Sequence, residues 1–175
     1  MAGPLNEADP APLIYRARDV EDILSGVCTI AMVGASANWV RPSNFVMKYL
    51  QSKGYKMIPV NPVQAGKEIL GEICYAALGD IPGSIDMVDI FRASDAAGET
   101  VDEVIPLSAS KGVRAIWMQL GVRNDAAAAR AEAAGLRVIM DRCPKIEYGR
   151  LSGELSWLGV NSGIISAKKL KTPKS

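Results

Sequence analysis

The sequence has 175 residues, of which 49% are hydrophobic and 22% charged, with a formal net charge of +1 and no histidine. This composition is typical of one soluble globular domain, and the near-zero, interspersed charge argues against a nucleic-acid or anionic-membrane surface. No apolar run approaches the ~20 residues of a membrane span. Without histidine, Ser-His-Asp and Cys-His catalytic sites, histidine-ligated metals and phosphohistidine chemistry are excluded.

The three cysteines, Cys28, Cys74 and Cys143, are far apart in the sequence and have no C-x-x-C spacing. They predict reduced thiols in a cytoplasmic protein, and neither metal ligands nor a disulfide framework. The N-terminus has no basic segment followed by an apolar one, so we expect no signal peptide. The sequence therefore predicts no metal site.

The first part of the chain is weakly patterned. Residues 1–15 contain prolines and little periodicity, and they predict a loose N-terminal arm before the domain. The stretch Ala17–Ser25 has apolar residues on one helical face and predicts a short helix that ends at Gly26. At the other end of the chain, residues 169–175 predict a basic C-terminal tail, so the domain is expected over residues 16–168.

A strand, a loop of small residues and a helix form the central unit of the sequence. The apolar run Cys28–Val33 predicts a buried strand, and Gly34 predicts the tight turn that follows it. Pro42 suits the first turn of a helix, which is expected to end at Gly54. The apolar face of this helix is predicted to consist of Phe45, Val46, Tyr49 and Leu50.

Further strands and helices alternate along the rest of the chain. The predicted strands are Tyr55–Val60, Ile85–Phe91, which contains the acids Asp86 and Asp89, Arg114–Leu120 and Leu136–Met140. One predicted helix is capped by Ser94 and broken or kinked at Pro106, and another runs from the cap Asn124 to Ala134. Residues 63–71 predict a loop, and residues 72–81 a short helix or strand.

This alternation predicts the fold class. Strands separated by helices of 10–15 residues form parallel βαβ units with right-handed crossovers. We therefore expect one α/β domain with a Rossmann-like, doubly wound, mainly parallel sheet and helices on both faces. In such a sheet the ligand lies outside the carboxyl ends of the strands, where the strand order reverses.

The loop after the first strand is not a dinucleotide fingerprint. Ser36 and Trp39 occupy the positions of two glycines in G-x-G-x-x-G, and Asn61 stands where an acid would hold a ribose. A phosphate ligand is still indicated, because Ser36 and Asn38 add polar donors and Arg41 adds a charge. A tight turn without a ligand is the other interpretation of this loop.

The candidate ligand-binding residues all follow predicted strands. They are Gly34, Ala35 and Ser36, then Asn61 and Pro62, then Phe91 and Arg92, then Gln119, Leu120 and Gly121, and finally Arg142, Cys143 and Pro144. Arg41, Arg92 and Arg142 together indicate a polyanionic small molecule, although each one singly also fits an ordinary surface arginine.

Several motifs resemble one known family. They are V-G-A-S-A-N-W-V-R-P-S, P-V-N-P, D-I-P-G-S-I-D-M-V-D-I-F-R, W-M-Q-L-G-V, M-D-R-C-P-K-I-E-Y and W-L-G-V-N-S-G. In combination they resemble the stand-alone CoA-binding proteins, which correspond to the N-terminal CoA-binding domain of the succinyl-CoA ligase α subunit. The resemblance extends over about residues 27–166 and implies CoA or an acyl-CoA as the cofactor.

The resemblance also implies roles for particular residues. The loop that holds the CoA phosphates corresponds to Ser36, Ala37, Asn38 and Trp39. Further CoA contacts correspond to Asn61, Pro62, Met118, Gln119 and Leu120, with Lys67 as an additional candidate. The ligase's Asn-Cys-Pro segment is similar to Arg142-Cys143-Pro144.

The departures from the ligase favour a binding protein. The domain that carries the phosphorylated histidine has no counterpart here, and Ala37 and Trp39 occupy glycine positions of the ligase loop. We therefore expect non-catalytic binding of CoA or an acyl-CoA, with protein partners left unspecified. An enzyme acting on acyl-CoA thioesters is the alternative, with Cys143 activated by Arg142 as its nucleophile. The other candidate catalytic groups are Asp141, Glu147 and Tyr148. An NAD(P)-binding regulator is a further alternative.

Overall fold

The computed structural model describes residues 10–154. The five helices in this range are α1 (Ala17–Gly26), α2 (Pro42–Ser52), α3 (Ser94–Lys111), α4 (Asp125–Ala133) and α5 (Pro144–Leu151). The seven strands are β1 (Thr29–Val33), β2 (Lys56–Val60), β3 (Glu68–Ile69), β4 (Glu72–Ile73), β5 (Met87–Ile90), β6 (Ala115–Met118) and β7 (Arg137–Ile139). Residues 1–9 and 155–175, which include the predicted C-terminal tail and the W-L-G-V-N-S-G motif, lie outside the described residues.

Five strands form one parallel sheet in the order β2-β1-β5-β6-β7. Val33 at the end of β1 lies opposite Val60 on one side and Ile90 on the other. The chain moves outward from β1 to β2 and then returns to the other side of β1, so the strand order reverses between β1 and β5. This is the switch point at which doubly wound sheets bind ligands.

Helices cover both faces of the five-stranded sheet, so most residues of its strands are buried. Residues of α1, α2 and α5 pack on one face around Met32 and Trp117. Residues of α3 and α4 pack on the other face around Val88 and Ile116. The predicted fold class, a single Rossmann-like α/β domain, is therefore confirmed.

Two predictions about the helices were wrong. Phe45 is 49% exposed, and α2 instead buries Val46, Met47 and Leu50. The loop before α2 and the pitch of the helix turn Phe45 outward, so apolar spacing alone placed it on the wrong face. The predicted break at Pro106 is wrong, since α3 continues to Lys111, and proline removes only one backbone donor from the helix. A kink at Pro106, the other predicted outcome, stays a prediction.

Other differences concern short elements. Helix α5 was not predicted, and the segment 63–81 contains the small hairpin of β3 and β4 followed by a 3₁₀ turn, Leu78–Asp80. Ser94 is the first residue of α3 rather than its cap, whereas Asn124 caps α4 as predicted by accepting a hydrogen bond from the Ala127 N–H at 3.0 Å.

The last residues of the predicted N-terminal arm contact the domain. The Met140 N–H donates to the Tyr15 hydroxyl at 2.9 Å, and the Arg142 guanidinium donates to the Leu13 carbonyl at 3.2 Å. Within residues 10–154, no helix is long and apolar enough to cross a membrane.

Candidate functional site

A cleft of about 310 Å³ opens at the switch point of the sheet. It is lined by Gly34, Ser36, Arg41, Pro42, Ser43, Asn61, Gln64 and Phe91. These residues follow β1, β2 and β5 or begin α2. The structure thus brings together five of the residues predicted from strand ends and from the first loop: Gly34, Ser36, Arg41, Asn61 and Phe91.

Gly34 is required by the close approach of two strand ends. Its φ is +88°, and a Cβ atom at this position would lie 2.3 Å from the backbone carbonyl oxygen of Phe91. No side chain fits at that distance, and L-residues rarely adopt this φ. The glycine therefore lets β1 and β5 meet at the floor of the cleft.

Hydrogen bonds within the loop after β1 fix its shape. The Asn38 N–H donates to the Ser36 hydroxyl at 3.1 Å, and the Asn38 side chain accepts from the Val40 N–H at 3.1 Å. The Asn38 carbonyl accepts from the Arg41 N–H at 3.0 Å. The N–H groups of Asn38, Val40 and Arg41 thus have acceptors within the protein, and these hydrogen bonds hold the loop in one conformation.

The segment after β2 holds the loop in place from the other side. Gln64 accepts a hydrogen bond from the Ala37 N–H at 2.9 Å. The Asn61 side chain donates to the Ala35 carbonyl at 2.8 Å and accepts from the Val63 N–H at 3.0 Å. Both polar atoms of the Asn61 side chain therefore form hydrogen bonds with the backbone, and these bonds hold the shape of the cleft.

The N-terminus of α2 lies at the cleft. Arg41, Pro42 and Ser43 are the N-cap and first turn of this helix, and all three line the cleft. A helix N-terminus carries a partial positive charge. In this first turn the backbone donor is the Ser43 N–H, because Pro42 has none and the Asn44 N–H donates to the Arg41 carbonyl at 3.0 Å. Among the described residues, the Arg41 guanidinium has no hydrogen-bond or ion-pair partner. The arrangement suits a phosphate or diphosphate.

The other predicted residues lie outside the lining of the cleft. Arg92 is exposed beyond Phe91, and Leu120 is 57% exposed. Met118 is fully buried in the core, and the Gly121 N–H donates to the Asp141 carboxylate at 2.7 Å. Pro62 begins a 3₁₀ turn beside Asn61, and Lys67 is exposed. Their contact with a ligand stays a prediction.

A buried carboxyl group lies in β5, and the sequence analysis did not single it out. Asp89 is 0% exposed, and both of its oxygens accept from the side-chain nitrogen of Gln119, at 2.9 and 3.1 Å. Burial raises the pKa of Asp89 to about 7, and the Gln119 hydrogen bond opposes this only in part. The sequence shows that Asp86 and Asp89 alternate with apolar residues in this strand. It does not show that the Asp89 side chain is fully buried.

The predicted activation of Cys143 is wrong. Cys143 is buried before α5, and burial raises the pKa of its thiol, although the N–H groups of Ile146 and Lys145 lower it. Arg142 does not activate the thiol, since its guanidinium donates to the carbonyls of Asp141 and Leu13 and lies 5.5 Å from the Tyr15 ring centre.

Among residues 10–154, no group of three or more His, Cys, Asp or Glu residues is placed to hold a metal ion. Two of the acids proposed as alternative catalytic groups have structural partners. Asp141 accepts from Gly121, and Glu147 accepts from the Arg150 guanidinium at 3.1 Å.

A polar cleft at the switch point of a doubly wound parallel sheet is typical of nucleotide-binding α/β proteins. Within that class, the model of the CoA binding domain family matches residues 28–149, and the chain belongs to this family. The family expected from the sequence is confirmed. The chain is also 35% identical over 130 residues to the uncharacterized protein YneT of Bacillus subtilis strain 168, which spans 74% of this chain and 92% of YneT.

Solved structures of similar proteins share the fold. A hypothetical protein from Pyrococcus horikoshii OT3 is 36% identical with a TM-score of 0.73, covering 82% of this chain and 98% of that chain. The dinucleotide forming acetyl-coenzyme A synthetase 1 of Ca. Korarchaeum cryptofilum is 24% identical with a TM-score of 0.58. This similarity covers 70% of the present chain and 27% of the synthetase, and it shows the fold alone.

Proposed function

We propose that the protein binds CoA or an acyl-CoA without transforming it, and that the CoA diphosphate occupies the cleft at the switch point. Family membership supports the ligand class. The observation that carries the placement is the N-terminus of α2, where Arg41 has no partner among the described residues and Ser43 adds a hydroxyl.

Electrostatics favours an anion at this place over a neutral group. A guanidinium can bind two phosphate oxygens in parallel, and charge-assisted hydrogen bonds contribute about 1.5–3 kcal/mol each. The hydroxyl of Ser36 accepts from Asn38 and retains its proton for donation to a ligand. The cleft lining contains no carboxylate that would repel phosphate.

The non-catalytic role is supported by the lack of a reactive group in the cleft lining. Catalysis on a thioester needs a nucleophile or a general base within hydrogen-bond reach of the substrate. The lining offers hydroxyls, amides and a guanidinium, and no histidine, cysteine or carboxylate to activate them. The predicted nucleophile, Cys143, is a buried thiol whose pKa is raised, so the thioester-active alternative loses its principal candidate.

CoA is favoured over NAD(P) by the segment after β2. A dinucleotide site uses an acid or an arginine near the end of this strand to bind the ribose 2′ position. Here Asn61 occupies that place, and its two polar atoms already bond the backbone of Ala35 and Val63. The cytoplasmic location expected from the cysteines stays a prediction.

Native mass spectrometry and calorimetry of the purified protein test this proposal. We expect a 1:1 complex with CoA and, for Arg41→Ala, binding about tenfold weaker or worse. Arg18→Ala is the matched control, because Arg18 is exposed on α1 and does not line the cleft. Equal CoA affinity in the Arg41→Ala and wild-type proteins would place the phosphates elsewhere, and steady hydrolysis of acetyl-CoA would refute the non-catalytic role.

A further inference from the structure

The exposed side chain of Trp39 is not explained by the fold. It is 73% exposed, although indole is among the side chains that gain most from burial. Trp39 belongs to the loop that supplies Ser36 and Arg41 to the cleft. A large aromatic surface left in water beside a binding cleft is a common feature of ligand contacts.

Hydrogen bonds hold the backbone on both sides of Trp39. Hydrogen bonds join its neighbours on both sides, from Asn38 to Ser36 and from Val40 and Arg41 to Asn38. The Asn44 side chain also donates to the Ser36 carbonyl at 2.9 Å. A platform held in this way loses little conformational entropy when a ligand stacks on it.

The size of the cleft leaves part of the ligand outside. Its volume of about 310 Å³ is at the lower end of the range for small-molecule sites, which is roughly 300–1,000 Å³. CoA carries an adenosine at one end of its diphosphate and a pantetheine arm at the other. With the diphosphate at Arg41, at least one of these ends must lie on the rim.

We propose that Trp39 is the stacking platform for the adenine of CoA, two residues from the arginine that binds the adjoining diphosphate. An indole ring and a purine ring both present flat π faces, and stacking of a base on an aromatic side chain tolerates any base. This inference rests on the proposed function, because it assigns a contact within the same site.

The test is calorimetric titration of the full chain with CoA and with 4′-phosphopantetheine, which lacks the 3′-phospho-AMP half of CoA and therefore the adenine. We expect Trp39→Ala to weaken CoA binding about five- to hundredfold, the range of one base-stacking contact, and Trp39→Phe to retain most of the affinity. The affinity for 4′-phosphopantetheine is expected to be the same in Trp39→Ala and the wild type. Phe45→Ala is the matched control, because Phe45 is another exposed aromatic side chain and belongs to α2 rather than to the loop after β1.

Several results would overturn the assignment. Wild-type CoA affinity in Trp39→Ala, an equal loss in Phe45→Ala, or an equal loss for both ligands would each refute adenine stacking while leaving CoA binding intact. A drop in the urea midpoint of free Trp39→Ala would show that Trp39 packs on another part of this chain. If the wild-type protein does not bind CoA at all, the proposed function fails and this inference fails with it.

Discussion

Replacing the buried acid Asp89 with asparagine should stabilise the protein at alkaline pH. The Asp89 carboxyl lies in the core with the Gln119 side-chain amide as its donor, and burial raises its pKa to about 7 from 3.8. An asparagine has nearly the same shape, can bond the same amide and never ionises. The substitution therefore removes the penalty for a buried charge without leaving a cavity.

The pH dependence has a definite sign. A carboxyl whose pKa is higher in the folded state binds more protons when folded, so the free energy of unfolding falls as pH rises from about 4 to about 7, and it levels off above that. The difference between a pKa of 3.8 and about 7 corresponds to roughly 4 kcal/mol. We expect Asp89→Asn to match the wild type near pH 4 and to exceed it by up to about that amount near pH 8.

Urea denaturation followed by circular dichroism across this pH range measures the effect. Asp86→Asn is the control with the opposite sign, because Asp86 accepts from the Cys28 and Thr29 N–H groups at 2.8 and 2.9 Å. Although its partial burial opposes ionisation, these bonds and Arg114 lower the pKa of Asp86. Asp86→Asn should therefore be less stable than the wild type at neutral pH, and the deficit should shrink as pH falls below about 4. A stability difference between Asp89→Asn and the wild type that does not change with pH would refute the reasoning.

Three further predictions test other parts of the structure. Gly34→Ala should reduce the free energy of unfolding by about 3 kcal/mol or more, because its Cβ would collide with the Phe91 carbonyl. Gly66→Ala should lower the free energy of unfolding by a smaller amount in the same urea titration. The φ of Gly66 is +80°, but a Cβ added there would have no atom of the described residues within 4 Å beyond its chain neighbours. Asn61→Ala should cost about 1–2 kcal/mol through two lost hydrogen bonds and should weaken CoA binding, as calorimetry would show. The Cys143 thiol should form no adduct with CoA disulfide in native protein by intact mass, and a dithiothreitol-reversible adduct lost in Cys143→Ser would contradict this.

The sheet could be predicted from the sequence because each of its strands is apolar on both faces. Runs such as Cys28–Val33 are too short for a core helix and are bounded by turn residues, so both strand identity and parallel pairing followed from pattern. Helix α5 escaped this reasoning, because it buries Glu147 and Gly149 as well as Tyr148 and has no regular apolar spacing. The helix is stabilised by packing beside α1 and α2, and the spacing of apolar residues in the sequence does not predict such packing.

The candidate site was predictable in position and not in its hydrogen bonding. Strand ends in a parallel sheet converge on one edge, so Gly34, Asn61 and Phe91 were expected to meet. Which polar groups are free for a ligand depends on side chains that close the loop, above all Gln64. It reaches the first loop only because a 3₁₀ turn after β2 points it there. This contact occupies the Ala37 N–H, which is one of the backbone donors of the loop.

A thermal-shift titration that compares CoA with NAD and NADP at equal concentrations tests the central claim most directly. A ligand at one hundred times its Kd stabilises the folded state by about 2.7 kcal/mol, which corresponds to a rise of roughly 5–10 °C in Tm for a domain of this size. We expect CoA to raise the Tm by an amount that grows with its concentration, and NAD and NADP to leave it unchanged. A larger rise with NAD than with CoA would contradict the account.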